Sequence, residues 1–354
     1  MGVYLYLLYF VLFGTLISFL TKKKLDALFV LIAVCVVGVV ALRNESLGVD
    51  TRTYCDMFLH PTSSYKDPGF FLYNSIIRLI TNDRDWYIAI TAILSIGPVM
   101  YVIWKDSYNK ILSLFLFISV GSTLIYYVLY FAAMRQCLAV GMLFLLVHFV
   151  RIGKISNITI IVILNVMIGL VHTAALVFIP VFFLQKISFK KNVVCVVLAV
   201  SFVIGFNLKN YSEYVYLVNG LTNDRFDYYL SYVADSQYMM LATLPLMLIA
   251  ILITTFGGDG FRNDLYYKMF ICGVTVNNIM ELAADSSRLT FIFLISTIIA
   301  IPNFIVQLNS RYAKIVRVSL LFLLLSYYSY KYIGVWDRLD PNANMIPYKT
   351  NSLI

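Results

Sequence analysis

Residues 111–150 read ILSLFLFISVGSTLIYYVLYFAAMRQCLAVGMLFLLVHFV. Apart from His148, Arg135 is the only side chain in this stretch that can carry a charge, and it separates two apolar runs, 111–130 and 133–150. Each run is long enough for an α-helix to cross the roughly 30 Å hydrocarbon core of a bilayer. The apolar residues do not alternate with polar ones, as they do in the strands of a membrane barrel. The stretch therefore predicts two membrane-spanning helices.

The composition of the whole chain favours the same architecture. Of its 354 residues, 61% are hydrophobic and 13% are charged, and the mean hydropathy is +0.85. A soluble domain carries about 25% charged residues. We therefore expect an all-α polytopic membrane protein with one integral domain over residues 1–354. The first apolar run, 3–20, has no basic residue before it and no small-residue cleavage site after it, so it predicts a retained helix.

The apolar runs predict about twelve transmembrane helices, within a range of roughly 10 to 14. The expected spans lie near 3–20, 26–42, 85–104, 111–130, 133–150, 155–170, 172–185, 192–208, 238–256, 266–283, 288–308 and 314–332. Residues 155–185 are predicted to form a hairpin or a re-entrant pair that turns near His172. The longer connections, 43–84 and 209–237, are the two segments outside the membrane that are large enough to carry chemistry.

The net charge of +9 is distributed unevenly along the chain. Basic residues cluster in alternate short connections, and such loops are cytoplasmic by the positive-inside rule. The basic loops contain Lys22 to Lys24, Lys105 and Lys110, Arg151 and Lys154, Lys186 to Lys191, Arg262 and Lys268, and Arg311 to Arg317. The positive charge therefore indicates the orientation of a membrane protein, with both termini outward, and gives no reason to expect nucleic acid as a partner. The five cysteines show no spacing typical of a disulfide framework or of a metal site.

Three arginines fall at the outer ends of predicted spans, namely Arg43, Arg135 and Arg288. An arginine inside or beside a membrane span is costly and usually functional. Its planar guanidinium suits a phosphate or carboxylate, which it binds through two hydrogen bonds. The sequence therefore predicts an anionic ligand at the outer face. Snorkelling of Arg43 toward the interface and a helical ion pair between Arg288 and Asp285 are the structural alternatives.

Five short motifs follow one another in an order that resembles a known family. They are Arg43-x4-Gly48-x-Asp50-x3-Tyr54, then Met134-Arg135-Gln136-Cys137-Leu138-Ala139, then His172-Thr173-Ala174-Ala175-Leu176, then Asp224-Arg225-Phe226-x-Tyr228-Tyr229, and finally Ser287-Arg288-Leu289. Together they resemble the EpsG family of exopolysaccharide polymerases, relatives of the Wzy polymerases that build O-antigen and capsule. Residue 137 is a cysteine where the resemblance leads us to expect a small residue.

The resemblance implies an enzyme of the bacterial cytoplasmic (inner) membrane whose active site faces outward. Such a polymerase transfers a growing glycan from undecaprenyl diphosphate to a hydroxyl of the next lipid-linked repeat unit. It also implies a helical fold similar to the polymerases and ligases of the glycosyltransferase C superfamily, with no metal or other cofactor. The expected partners are an undecaprenyl-diphosphate-linked oligosaccharide and the lipid bilayer, and a chain-length regulator is a further candidate.

Residue roles follow as hypotheses. Arg135 and Arg288 are the preferred diphosphate ligands, with Arg43 as a third. His172 and Asp50 are rival bases for the acceptor hydroxyl, and each has a structural alternative, as a core histidine or as a turn residue. The remaining candidates for binding diphosphate or sugar are Arg52, Tyr54, Gln136, Arg225 and Tyr228; for the tyrosines, a membrane-interface aromatic belt is the alternative.

Three other functions remain open at this point. A glycan ligase that uses the same lipid carrier needs similar arginines and a similar base. A transporter or flippase for lipid-linked sugars needs charges along a central cavity and broken helices in two repeats, whereas the unusual charges here gather at one face. A membrane O-acyltransferase needs its histidine on the cytoplasmic side, whereas His172 is predicted on the outer side.

The dipeptide Asp67-Pro68 predicts the start of a short helix in the first outer loop, because aspartate suits the N-cap and proline the first helical position. Its apolar residues, Phe70 among them, should face lipid or core. Asn74, Ser75 and Arg78 should face water. An amphipathic helix lying in the membrane interface and a loop helix packed on the spans are both compatible with this pattern.

The predicted orientation can be checked by cysteine labelling in intact cells. Cysteines introduced near residues 62 and 222 should react with a membrane-impermeant thiol reagent, because both positions lie in predicted outer segments. Cysteines near 108 and 188 should react only after the membrane is opened. The unsubstituted chain gives the background from its own five cysteines. Labelling of only the second pair in intact cells would invert the orientation.

Overall fold

The computed structural model describes residues 2–21, 25–60, 67–121, 125–208, 239–280, 286–308, 313–338 and 346–353. Within these ranges the fold is all-helical, and extended backbone is limited to isolated bridges. The described α-helices are α1 (Gly2–Leu20), α2 (Asp26–Ala41), α3 (Thr51–Leu59), α4 (Pro68–Arg78), α5 (Arg84–Asp106), α6 (Lys110–Ser119), α7 (Tyr126–Ala132), α8 (Met134–Arg151), α9 (Ile158–Val171), α10 (Ile179–Phe183), α11 (Lys191–Leu208), α12 (Met239–Phe256), α13 (Asp259–Arg262), α14 (Leu265–Met280), α15 (Ser286–Leu294), α16 (Thr297–Gln307) and α17 (Ala313–Arg338). Two 3₁₀ helices, Thr173–Phe178 and Leu184–Lys186, flank α10.

Four helical segments in the described ranges are long and apolar enough to cross a membrane: Gly2–Leu20, Arg84–Asp106, Met134–Arg151 and Leu289–Gln307. Six further apolar helical segments there are shorter. The structure thus confirms an all-helical protein with four candidate membrane-spanning segments in the described ranges. The number of twelve spans and the likeness to the C superfamily stay predictions.

Two predicted spans are interrupted. The run 111–130 is divided because α6 ends at Ser119 and Val120 turns extended, at ψ 145°. The run 288–308 is divided between α15 and α16, where the Ser296 hydroxyl donates to the Phe293 carbonyl 2.7 Å away. A serine hydroxyl that bonds the preceding turn competes with the helical backbone pattern. Apolar length alone contains no signal for either break.

Residues 172–185 also depart from regular helix, close to the predicted turn. α9 ends at Val171, and His172 is extended, with φ −155° and ψ 115°. The chain continues as the 3₁₀ helix Thr173–Phe178. Pro180 then lies near the start of α10, where a missing backbone N–H costs least. A tight 3₁₀ segment within an apolar run often marks a functional position.

The central helices α5 and α8 approach closely at a glycine. A Cβ on Gly141 would lie 2.4 Å from the Ser95 carbonyl oxygen, so no larger residue fits without displacing backbone. α11 and α14 meet in the same way, since a Cβ on Gly205 would lie 1.8 Å from the Asn278 carbonyl oxygen. Small residues at helix crossings are typical of membrane helices, which gain stability mainly from close packing.

At one end of the helices, the buried residue Asp106 connects its own helix to three others. Asp106, at the end of α5, accepts hydrogen bonds from His148 Nδ1 at 2.7 Å, Tyr266 Oη at 2.5 Å and Arg151 Nη1 at 3.3 Å. Its backbone carbonyl accepts from Asn303 Nδ2 of α16 at 2.9 Å. The carboxylate group is 5% exposed. A buried charge is tolerated when it is paired and hydrogen-bonded, and these contacts satisfy that condition. We call Asp106 and these four partners the Asp106 cluster.

At the opposite end, residues 346–353 cover the end of α2. Asn44 N donates to Lys349 O, and Asn351 N donates to Leu42 O, each at 2.9 Å. Arg43 forms an antiparallel bridge with Thr350 between these bonds. We call residues 346–353 the tail strap.

Several basic residues predicted to be cytoplasmic lie at the end that holds the Asp106 cluster, and the orientation in the membrane stays a prediction. Arg151 joins the Asp106 cluster, and Lys105, Lys110 and Arg317 line one cavity near it. Arg43 and the N-terminal turn of α5 lie at the other end with the tail strap, where Ser352 N donates to Asp85 Oδ2 at 2.9 Å.

The helix predicted from Asp67-Pro68 is present as α4. The prediction that Asn74 on this helix faces water was wrong. Asn74 is fully buried rather than facing water. Its side-chain oxygen accepts a hydrogen bond from the Tyr87 hydroxyl of α5 at 3.0 Å, whereas its Nδ2 has no acceptor among the described residues. α4 also packs against α9 through Gly69, whose Cβ would lie 2.8 Å from the Val171 nitrogen. α4 is therefore a loop helix packed on the longer helices.

Candidate active site

The first outer segment leaves α2 through a turn that requires glycine. Gly48 has φ +90°, and a Cβ there would lie 2.1 Å from the Phe131 carbonyl oxygen at the end of α7. The Thr51 hydroxyl is 2.6 Å from the same oxygen. Glycine is the residue that adopts this backbone conformation without strain. The turn therefore fixes the start of α3 against the junction of α7 and α8.

Arg135 lies in the first turn of α8, beside that junction. Its Nη1 donates to Asp67 Oδ2 at 2.5 Å, and its Nε is 3.5 Å from the Tyr54 hydroxyl. The guanidinium carbon lies 5.4 Å from the Tyr54 ring centre and 5.7 Å from the Phe70 ring centre. Contact with aromatic faces stabilises a cation and holds its plane in one orientation.

This guanidinium is still accessible, because its side chain is 29% exposed. No residue in the described ranges accepts a hydrogen bond from its Nη2. Arg135 is therefore oriented on one side by Asp67 and two aromatic rings while its remaining donors can reach a ligand. Tyr54, in contrast, is 6% exposed and faces protein, which favours a positioning contact with Arg135 over stacking on an exposed sugar ring.

His172 lies close to the same group of residues through α4. Asp67 immediately precedes α4, and Gly69 packs on the backbone of Leu170 and Val171. His172 is the next residue and is partly buried. Its extended backbone ends α9, and its carbonyl accepts from Ala175 N at 3.0 Å. The break after α9 thus places the imidazole at the end of the helices that also holds Arg135.

Arg288 lies in the first turn of α15, a helix that packs on two elements of this site. The Tyr126 hydroxyl of α7 donates to Thr290 Oγ1 at 3.2 Å. The rings of Phe293 and Phe178 lie 5.5 Å apart, which joins α15 to the 3₁₀ helix after His172. From α15 the chain runs through α16 to Asn303 in the Asp106 cluster at the far end. Arg288 therefore begins its helix on the Arg135 side; the structure does not describe its side chain.

Arg43 lies inside the protein, 1% exposed. Its Nη1 donates to the Val40 carbonyl at 2.6 Å, and its guanidinium lies 5.6 Å from the Phe131 ring centre. Nε and Nη2 have no acceptor among the described residues. Burial lowers the pKa of Arg43 to about 10, which still leaves it protonated at neutral pH. A ligand reaches this cation only if the covering residues move, so its role as a direct ligand stays a prediction.

The other predicted site residues occupy different environments. Asp50 is the N-terminal neighbour of α3, partly buried, and close enough to Arg135 to interact with its charge. Arg52 is exposed on α3, and Gln136 is 2% exposed in α8. Arg225 and Tyr228 lie outside the described residues. The structure thus places Asp50 near Arg135, and His172 directly after the α9 backbone on which Gly69 packs.

Sequence reasoning assigned no role in the site to Asp67, the acidic partner of Arg135. The residue was noticed only as a helix N-cap, and its side chain makes no capping bond. The sequence also gave no reason to single out Arg84, which donates to Glu45 at 2.6 Å and to Asp56 at 2.8 Å across the outer segment. An ion pair between residues so far apart in the sequence leaves no local pattern that sequence analysis could recognise.

The arrangement is suited to an anion with a nearby hydroxyl. A preorientated guanidinium can stabilise negative charge that develops on a leaving phosphate. An imidazole or carboxylate beside it can accept a proton. Among the described residues, no three His, Cys, Asp or Glu side chains are grouped closely enough to hold a metal ion.

The helices and this cationic, aromatic-lined site define a polytopic membrane protein with its candidate chemistry at one end of the helices. The chain belongs to the EpsG family, because the EpsG family model matches residues 26–350. Membership indicates an exopolysaccharide polymerase-type function, in agreement with the resemblance found in the motifs. No curated protein and no solved structure gives a significant match to the chain.

The pairing of Arg135 with Asp67 can be measured as a coupling. Arg135→Gln leaves Asp67, whose side chain is 8% exposed, without its cation, so the purified protein should unfold at a lower temperature. Adding Asp67→Asn should recover part of the loss, because contacting residues couple by about 0.5–3 kcal/mol.

The matched control is Arg84 with Asp56, whose side chains are 33% and 53% exposed. An exposed ion pair contributes about 0–1 kcal/mol, so the corresponding double variant should be nearly additive. Equal coupling in the two pairs would contradict the assigned geometry.

Proposed function

We propose that this protein polymerises lipid-linked repeat units at the outer face of the bacterial cytoplasmic membrane. The donor is a growing glycan on undecaprenyl diphosphate, and the acceptor is a hydroxyl of the next lipid-linked unit. The observation that supports the proposal most directly is the state of Arg135, which is oriented by Asp67, Tyr54 and Phe70 and yet partly exposed.

The reaction needs one bond formed and one broken. The acceptor oxygen attacks the anomeric carbon of the sugar attached to the diphosphate. The bond from that carbon to the diphosphate oxygen breaks, and the electron pair leaves with the lipid diphosphate. Negative charge therefore grows on the diphosphate in the transition state. Arg135 and Arg288 would bind this charge, since arginine forms paired hydrogen bonds with phosphate oxygens.

Asp67 has a definite part in this scheme. In the structure it occupies one edge of the Arg135 guanidinium through Nη1. Five N–H donors are available on a guanidinium, so the remaining ones can bind phosphate while Asp67 keeps the group oriented. Asp67 is thus a positioning residue, and its charge also limits the attraction of Arg135 for unrelated anions.

The acceptor proton must leave as the new bond forms. His172 and Asp50 are the two candidate bases at the Arg135 end of the helices. His172 ends a broken helix in a partly buried position, where a neutral imidazole can accept a proton. Asp50 interacts electrostatically with the Arg135 cation, an arrangement suited to orienting that group. We therefore assign the base role to His172 and a binding or orienting role to Asp50.

Purified protein incubated with a single lipid-linked repeat unit tests the reaction class. A ladder of lengthening products indicates a polymerase. Transfer to a different acceptor without a ladder indicates a glycan ligase, and movement of the substrate across a vesicle membrane without new bonds indicates a transporter.

In this assay Arg135→Lys and Arg288→Lys should each remove nearly all polymer while the protein still inserts in the membrane. An ammonium group cannot form the paired hydrogen bonds of a guanidinium. Arg78→Lys is the control, because Arg78 is exposed at the end of α4 and should polymerise at the normal rate. Normal polymer from both site variants would assign these arginines to packing or orientation.

His172→Ala should slow the transfer by about 10²- to 10⁴-fold, the usual contribution of a general base, with binding of the lipid-linked substrate retained. Asp50→Asn should have the smaller effect on the rate and the larger effect on substrate affinity. Initial rates at saturating substrate and a separate binding measurement distinguish the two. An active His172→Ala protein beside an inactive Asp50→Asn protein would move the base role to Asp50.

A further inference from the structure

A polar cavity lies at the end of the helices opposite Arg135. Its volume is about 700 Å³, and it is formed where α1 and α5 end and where α2, α6 and α17 begin. The side chains that carry its chemistry are Asp26, Trp104, Lys105, Asn109, Lys110 and Arg317. The proposed polymerisation uses none of them. Cavities that bind small molecules commonly measure about 300–1,000 Å³.

The cavity has a surplus of positive charge. Three of its lining residues are basic, Lys105, Lys110 and Arg317, and one is acidic, Asp26. Lys110 Nζ donates to Asp26 Oδ1 at 2.6 Å and lies 3.8 Å from the Trp104 ring centre. After this pair is counted, Lys105 and Arg317 remain without an acidic partner among the described residues. The cavity therefore attracts an anion.

Arg317 points to the kind of anion. Its Nη2 donates to the Leu308 carbonyl at 2.9 Å, which anchors the side chain at the end of α16. The side chain is partly buried and lines the cavity. The oxygens of a phosphate ester are well suited to the planar donors of a guanidinium.

One wall of the cavity is apolar and continues onto an apolar outer surface. Phe19, Leu25 and Ile305 line the cavity together with Val306, which is 45% exposed. Beyond the cavity, Leu20 is 85% exposed. In a helix bundle within a membrane such side chains face lipid. Trp104 adds an indole, which is typical of the level of the lipid headgroups.

We propose that this cavity binds the headgroup of an anionic phospholipid, in the leaflet that the basic loops predict to be cytoplasmic. The phosphate lies between Lys105, Lys110 and Arg317, and the acyl chains follow the apolar surface beside Val306. Basic pockets between membrane helices on this side suit anionic headgroups. A free phosphate would gain nothing from the apolar wall, which is why a lipid is the better occupant.

A headgroup bound here ties together parts of the protein that are distant in sequence. Asp26 and Lys110 belong to the first helices, whereas Arg317 begins the last long helix, α17. The lipid therefore holds α17 against the start of α2 and α6.

The test compares purified protein in nanodiscs of phosphatidylcholine alone with nanodiscs that contain phosphatidylglycerol. Phosphatidylglycerol should raise the unfolding temperature, and native mass spectrometry of detergent-solubilised protein should detect it bound. Lys105→Gln and Arg317→Gln should each weaken this binding roughly fivefold, because a basic residue near an anionic surface contributes about 1 kcal/mol. Lys154→Gln is the control, since Lys154 is exposed and does not line the cavity.

Lys105 is the safer of the two substitutions, because it is exposed and has no acidic partner in the described residues. Its variant should fold normally in phosphatidylcholine even if the Arg317 variant does not. The proposal is overturned if Lys105→Gln and Lys154→Gln bind phosphatidylglycerol alike. It is also overturned if inorganic phosphate or glycerol 3-phosphate stabilises the protein in phosphatidylcholine as much as phosphatidylglycerol does.

Discussion

The buried charge of Asp106 constrains the whole arrangement of helices. A carboxylate that is 5% exposed is stable only when donors surround it, and removing one partner from such a group is strongly destabilising. The donors to the carboxylate come from α8 and α14, and Asn303 of α16 donates to the backbone carbonyl of the same residue, so these helices and α5 must meet at this point. Because helices are stiff, fixing one end of α8 also directs its other end, where Arg135 begins the candidate active site. The chemistry at one surface therefore depends on a polar contact near the other.

The two ends of the molecule are proposed to bind anions by different means. At the Arg135 end, aromatic rings and one carboxylate restrict a single guanidinium to one orientation, which suits the stabilisation of a transition state. At the other end, three basic residues line a wide cavity with an apolar side, which suits a lipid that does not react. Donors held in one orientation favour a fast reaction, whereas a wide basic cavity favours binding of a lipid.

The helices were largely predictable from the sequence because apolar length is a local signal. α1, α5 and α8 begin and end within two residues of the predicted spans. The breaks at Val120 and at Ser296 were not predictable, since they arise from backbone and hydroxyl contacts that hydropathy does not register. The arginines of the candidate site were recognised by their unfavourable position in an apolar chain. The partner of Arg135 was missed because Asp67 lies 68 residues away, and the burial of Asn74 depends on a tyrosine in another helix.

The tail strap is synthesised long after the residues that it covers. The Tyr348 hydroxyl donates to the Val39 carbonyl across 309 residues of sequence. A ribosome adds about 5–20 residues each second, so roughly 15–60 seconds separate the synthesis of these two partners. During that interval α2 has been synthesised, and the tail strap that bridges Arg43 does not yet exist. The nascent protein therefore lacks this cover at its cationic end until residues 346–353 are made, and termination of translation before them leaves that end uncovered.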